Sequence, residues 1–111
     1  MIKRIWHGWT SAEKADEYET LVRNEVFVGI RARHIAGFRN IELLRRESDS
    51  EVEFVSIMTF DSLAAVRSFA GEDYERSFVP DKARALLSRF NDRSSHFEIR
   101  IPETGQSEPK I

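Results

Sequence analysis

Residues 38–60 read FRNIELLRRESDSEVEFVSIMTF, two β-favouring runs separated by Ser48-Asp49-Ser50. Branched and aromatic side chains fill both runs and turn formers fill the gap, so the stretch predicts a hairpin of strands 38–47 and 51–60. With the turn centred on Asp49, Ile41 lies opposite Ile57, Leu43 opposite Val55 and Arg45 opposite Glu53. The other face then carries Leu44, Phe54 and Met58 among Asn40, Glu42, Arg46, Val52 and Ser56. A sheet face that meets water should be mostly polar. Leu44, Phe54 and Met58 together therefore call for a cover, and the rest of the chain has no helix to spare for it.

On the N-terminal side, residues 2–9 predict a strand, with Trp6 and Trp9 on opposite faces and His7 sharing a face with Ile5 and Trp9. Thr10-Ser11-Ala12-Glu13 has the form of a capping box. The helix behind it should run to about Arg33 on an apolar stripe of Tyr18, Leu21, Val22, Val26 and Ile30, with acids in its first half and arginines at its end. On the C-terminal side, Asp61 predicts the cap of a helix to Ala70, closed by Gly71. Residues 72–79 are irregular and carry Tyr74 and Phe78. Pro80 predicts the first residue of a third helix with Ala83, Leu86, Leu87 and Phe90 inward. A last strand covers 94–101, with Phe97 and Ile99 on one face and His96 and Glu98 on the other. The order β-α-β-β-α-(α)-β predicts an α+β, ferredoxin-like split βαβ fold over residues 1–101: a four-stranded antiparallel sheet with helices on one face. Residues 102–111 predict a flexible tail. The cheapest cover for the bare face is a second copy of the chain across a two-fold axis.

The composition excludes several classes. With 111 residues there is room for one domain. The 17 basic and 19 acidic residues give a net charge of -2, which argues against a general nucleic-acid binder. There is no cysteine, so disulfides, thiolate metal sites and cysteine nucleophiles are out. No apolar run approaches the roughly 20 residues that cross a bilayer, and the first residues lack the apolar stretch of a signal peptide; a cytoplasmic location without membrane attachment is expected. No phosphate-binding loop, paired-histidine metal motif or nucleophile elbow is present. His7, His34 and His96 are far apart in sequence, so no metal site is expected.

Five stretches carry a family resemblance: Arg4-Ile5-Trp6-His7-Gly8-Trp9-Thr10, Gly37-Phe38-Arg39, Phe60-Asp61-Ser62-Leu63, Phe69-Ala70-Gly71-Glu72-Asp73-Tyr74-Glu75 and His96-Phe97-Glu98-Ile99. Through them residues 2–101 resemble the antibiotic biosynthesis monooxygenase domain family of the dimeric α/β-barrel superfamily. The resemblance implies that two subunits pack their sheets face to face into a barrel, and that each keeps a pocket between its own sheet and helices. It also implies a choice of activities. Some members oxidise phenolic polyketides to quinones with molecular oxygen and no metal or flavin, others open haem, and others act on small quinols or aldehydes. The haem-opening members use an Asn on the first strand and a Trp and a His in the second helical region. Here the first strand offers His7, and residues 61–80 contain neither His nor Trp, so haem cleavage is the weakest of these readings.

Oxidation of a phenol or hydroquinone without a cofactor needs a base, an apolar cavity and a donor for developing negative charge. Histidine titrates near neutral pH, so His96 and His7 are the candidate bases. Tyr74, in the irregular segment where a pocket mouth would lie, is a candidate donor. Trp6, Phe69 and Phe78 are candidate walls for a small hydrophobic or aromatic molecule. The competing reading is a module that binds such a molecule without turnover.

Overall fold

The computed structural model describes residues 1–102. The predicted tail beyond Pro102 lies outside the described residues. Strand β1 (Ile2–Thr10) leads to a helical rod made of α1 (Ala15–Leu21), one π-helical turn (Val22–Val26) and α2 (Phe27–Ala32). The hairpin β2 (Phe38–Glu47) and β3 (Val52–Phe60) follows, then α3 (Leu63–Ala70), α4 (Asp81–Leu86), and two short strands, β4 (Arg89–Phe90) and β5 (Ser95–Glu98). The sheet order is β2-β3-β1, and β4 and β5 share the remaining edge of β1. All pairings are antiparallel. This is the α+β, ferredoxin-like arrangement, with four strand positions and the last one split in two.

The hairpin forms in a register one residue away from the predicted one. Ile41 lies opposite Met58, Leu43 opposite Ser56 and Arg45 opposite Phe54. The connection is a four-residue loop rather than three, with the Ser48 amide and hydroxyl both donating to the Glu51 carbonyl. Because side chains alternate, this one-residue slip turns the whole of β3 over. Phe54 and Met58, expected on the bare face, are 0% and 5% exposed beneath the helices, with Val52 and Phe60. The Tyr18 ring lies 4.8 Å from that of Phe54, and Phe69 lies 5.6 Å from Phe60. The larger side chains take the covered face, where each fully buried one contributes about 1.5–3 kcal/mol. The bare face receives Glu42, Leu44 and Arg46 of β2, Glu53, Val55 and Ile57 of β3, and Lys3, Ile5, His7 and Trp9 of β1. Leu44 is still 46% exposed. The uncovered patch is therefore Ile5, Trp9, Leu44, Val55 and Ile57, not Phe54 and Met58.

The predicted Arg45–Glu53 pair is also replaced. Arg45 bonds Asp16 and Glu19 of α1 and its neighbour Glu47, while Glu53 bonds His7 and Arg46. The capping box does not form. Thr10 ends β1 fully buried, and its hydroxyl donates to the Leu86 carbonyl at the end of α4, so it is unavailable to α1. Ser62, not Asp61, caps α3, accepting from the Ala65 amide at 3.2 Å; Asp61 instead grips Arg39. Gly71, at φ +91°, ends that helix in a conformation that glycine adopts freely. The third helix is shorter than expected: Pro80 is its cap and Phe90 belongs to β4.

Candidate active site

A cavity of about 490 Å³ opens between the sheet and the helical layer. Its floor is the covered face of the three long strands, including Arg4 and Trp6 of β1, Leu43 of β2, and Ser56 and Met58 of β3. The rod forms the roof. The π-helical turn contributes Val22, Glu25 and Val26 to it. A π-turn widens the helix by one residue and recurs at functional sites. Here it lets Tyr18 and Val22 serve one packed cluster while Phe27 bridges to the second. Residues 76–80 and Ser94 close the side.

Residues 91–94 explain how that side is held. Past Asn91, whose N–H still donates to His7 O at 3.0 Å, the chain leaves the edge of β1, and Asp92 and Ser94 bond the backbone of the 72–79 segment instead: Ser77 N–H donates to Asp92 O at 2.8 Å, and Ser94 N–H to Glu75 O at 2.6 Å. The irregular segment is thus tied down over the cavity although it has no helix or strand of its own.

Arg4 holds the same segment from below. It sits on the covered face of β1 and is only 5% exposed. Its Nη1 donates to the Tyr74 carbonyl and lies 3.0 Å from His96 Nε2; its Nη2 donates to the Arg76 carbonyl at 3.3 Å. Its guanidinium stacks 5.4 Å from the Phe69 ring. No carboxylate pairs with it among the described residues. Burial lowers its pKa to about 10, leaving it charged at neutral pH. A buried cation without an anion is costly, and that cost marks it as a functional candidate.

His96 is coupled to this cation. An arginine can only donate, so Nε2 is the acceptor and the imidazole proton sits on Nδ1. Nδ1 is buried and has no partner among the described residues. Burial, and secondarily the charge of Arg4, lower the His96 pKa, so the ring is neutral and its basic form persists below the usual histidine range. Tyr74 packs edge-on against it, ring centroids 5.1 Å apart.

The structure separates the sequence candidates into three groups. Trp6, Phe69 and Phe78 line the cavity. Phe78 is 86% exposed and stands at its mouth rather than in the core. His96 and Tyr74 touch the cavity only through Arg4, and neither is a lining residue. His7 lies on the opposite side of the sheet, its Nδ1 2.8 Å from Glu53, and cannot reach the cavity. Two residues were missed. Arg4 was visible as a charged residue at strand spacing from Ile2 and Trp6, and hence on the same face. Tyr18 belongs by its spacing to the apolar stripe of the first helix. It lines the cavity, and burial raises its pKa, keeping the hydroxyl protonated as a donor. Among the described residues no cluster of three or more His, Asp or Glu could hold a metal ion.

No protein-family model matches the chain, and neither does any curated protein. Solved structures do. A Bacillus cereus protein whose assignment as an antibiotic biosynthesis monooxygenase is itself provisional superposes with a TM-score of 0.62, covering 92% of this chain and 95% of that one at 10% identity. SnoaB, a cofactor-independent oxygenase from Streptomyces nogalater, superposes with a TM-score of 0.56, covering 91% of this chain and 95% of that one at 21% identity. The split βαβ sheet, the single helical layer and these superpositions agree: the chain has the fold of the antibiotic biosynthesis monooxygenases.

Proposed function

We propose that this chain is a small oxygenase that acts on an aromatic substrate, a phenol or hydroquinone, with molecular oxygen and without a cofactor. The observation that carries the reading is Arg4, a buried cation on the wall of an otherwise largely apolar cavity, with the neutral imidazole of His96 3.0 Å behind it. Arg4 favours the anion of a bound phenol electrostatically, most strongly where water is excluded. His96 takes the proton on Nε2, exchanging its bond from Arg4 for one from the substrate hydroxyl. Tyr18 donates to a second substrate oxygen, and Trp6 and Phe69 hold the ring. The anion gives one electron to dioxygen, and the resulting radicals combine at a ring carbon bearing hydrogen. Loss of water from that peroxide leaves a quinone, with one oxygen atom in the product and the other in water.

Two further parts belong to this reading. The uncovered patch of Ile5, Trp9, Leu44, Val55 and Ile57 supports a homodimer through the bare sheet faces, since a patch of this kind marks an interaction surface. Among the described residues no helix is long and apolar enough to cross a membrane, in keeping with a cytoplasmic protein. The competing reading, a binding module without turnover, is favoured by the lack of any histidine among the cavity's lining residues.

Oxygen uptake with a model hydroquinone and a model phenol separates them. Uptake above the protein-free rate, reduced at least tenfold in His96→Gln and unchanged in His7→Ala, is expected. Uptake indifferent to His96→Gln removes His96 as the base, and no uptake with any aromatic probe leaves the binding module.

A further inference from the structure

The Arg4 guanidinium has an unused edge. Of its five N–H groups, both on Nη1 are committed, to Tyr74 O and His96 Nε2, and one on Nη2 goes to Arg76 O. The Nε–H and the second Nη2 N–H have no acceptor among the described residues. Elsewhere in this chain the same two nitrogens do one thing: Arg39 holds both oxygens of Asp61 with Nε and Nη2 at 2.6 and 2.7 Å, and Arg89 reaches Glu51 with the same pair at 3.4 and 2.9 Å. Those two arginines are exposed and have a carboxylate at hand. Arg4 is buried in the cavity wall, with its fork open.

The rest of the cavity has matching charge. Arg33 and Arg76 line it too, and the guanidinium groups of Arg33 and Arg4 both lie over the Phe69 ring, at 5.1 and 5.4 Å. The one acid among the lining residues, Glu25, bonds Lys82 at 3.2 Å. Three arginines against one carboxylate give the lining a formal charge of +2. Away from these groups the walls are mainly aromatic and aliphatic, with Ser56, Ser77 and Ser94 among them.

We propose that the ligand of this cavity is an aromatic carboxylate, its two carboxylate oxygens bonded by Nε and Nη2 of Arg4 and its ring held between Trp6 and Phe69. A bidentate carboxylate matches the arginine fork in spacing and plane, which a neutral phenol does not. The inference rests on the reading of this cavity as the active site and narrows its substrate to a phenol that also bears an acid group. The carboxylate completes the coordination of Arg4, and Arg4 in turn fixes the carbonyls of Tyr74 and Arg76, so ligand and lid segment share one anchor.

Calorimetric titration of the full chain with 2-naphthoate and its neutral near-isostere 2-naphthamide tests this. The wild type is expected to bind the acid at least tenfold more tightly than the amide. Arg4→Met should abolish that preference, Arg4→Lys should keep part of it, and Arg39→Gln, at the exposed pair, should keep all of it. Equal binding of acid and amide by the wild type, or no binding of the acid, overturns the inference without any variant. A preference that survives Arg4→Met also overturns it; should Arg4→Met fail to fold, a full preference in Arg4→Lys counts against the bidentate contact. Oxygen uptake is measured separately: acid preference without uptake keeps this inference and removes the oxygenase reading, and uptake with neutral phenols but no acid preference does the reverse.

Discussion

The two sides of strand β1 treat charge in opposite ways. On the bare side, His7 meets Glu53, which meets Arg46, and Trp9 lies 4.0 Å beneath Arg89, itself paired with Glu51. On the covered side, three residues before His7, Arg4 has carbonyls and a neutral histidine for company and no carboxylate among the described residues. Ion pairs open to water gain little and cost little, so a protein can carry many of them without consequence. A cation enclosed in apolar surroundings costs several kcal/mol by order of magnitude, and persists only where other groups fix it. The same strand thus separates ordinary surface electrostatics from a charge held ready for something else.

The sharpest way to break this contrast is to test which face is which. Phe54→Ala should cost about 3–5 kcal/mol of unfolding free energy, whereas its neighbour Val55→Ala, on the bare side, should cost less than about half as much in a monomeric sample; urea unfolding measures both. The reverse order would restore the three-residue turn and empty the cavity assignment. Next in size is Gly8→Ala. A Cβ there would stand 2.6 Å from Cη2 of Trp6 and 3.2 Å from Cδ2 of Leu87, so about 1–3 kcal/mol of overpacking is expected, together with a changed Trp6 fluorescence as the indole shifts toward the cavity.

The histidines sharpen the contrast through pH. His96 has its pKa lowered by burial first and by Arg4 second, with Glu75 opposing, so the unfolded chain binds the extra proton more readily than the folded one. Stability should therefore fall as pH drops below the unfolded value of 6.5 and level off beneath the lower folded value. His96→Gln should flatten that slope. The carboxylates of Glu53 and Asp61 are held low, Glu53 by His7 and then Arg46, Asp61 by Arg39. Their contribution is present above the unfolded carboxylate values and is lost only as pH falls through the lower folded ones, a separate and more acid window. The smallest effect belongs to the exposed Arg45 clamp on Asp16, Glu19 and Glu47: Arg45→Gln should lower stability slightly, and added salt should erase the difference.

Much of this molecule was legible in its residues, but unevenly. Element order followed from turn formers and periodicity, and the ferredoxin-like fold from that order. Hairpin register did not, because β3 is apolar on both faces: Val55 and Ile57 on one, Phe54, Met58 and Phe60 on the other. Alternation cannot choose a side under those conditions, and loop length, four residues or three, decided it. Thr10 and Asp61 looked like caps because capping is a local rule, and tertiary partners, Leu86 and Arg39, took them. The cavity walls Trp6 and Phe69 could be named from type and position. Arg4 could not be valued from sequence, since its importance lies in its burial without a carboxylate among the described residues, and that is visible only in three dimensions.

The π-helical turn has a bearing on how this architecture diversifies. Deleting one residue between Val22 and Val26 would restore ordinary helical winding, and because the wide turn spends its extra residue locally, the helix after it would keep its facing. Phe27 and Ile30 would stay over the sheet, while the part of the ceiling that Val22, Glu25 and Val26 now supply would be redrawn and the strands would stay put. A single-codon change in length, rather than a series of point replacements, is then the shortest evolutionary step from one chamber shape to another.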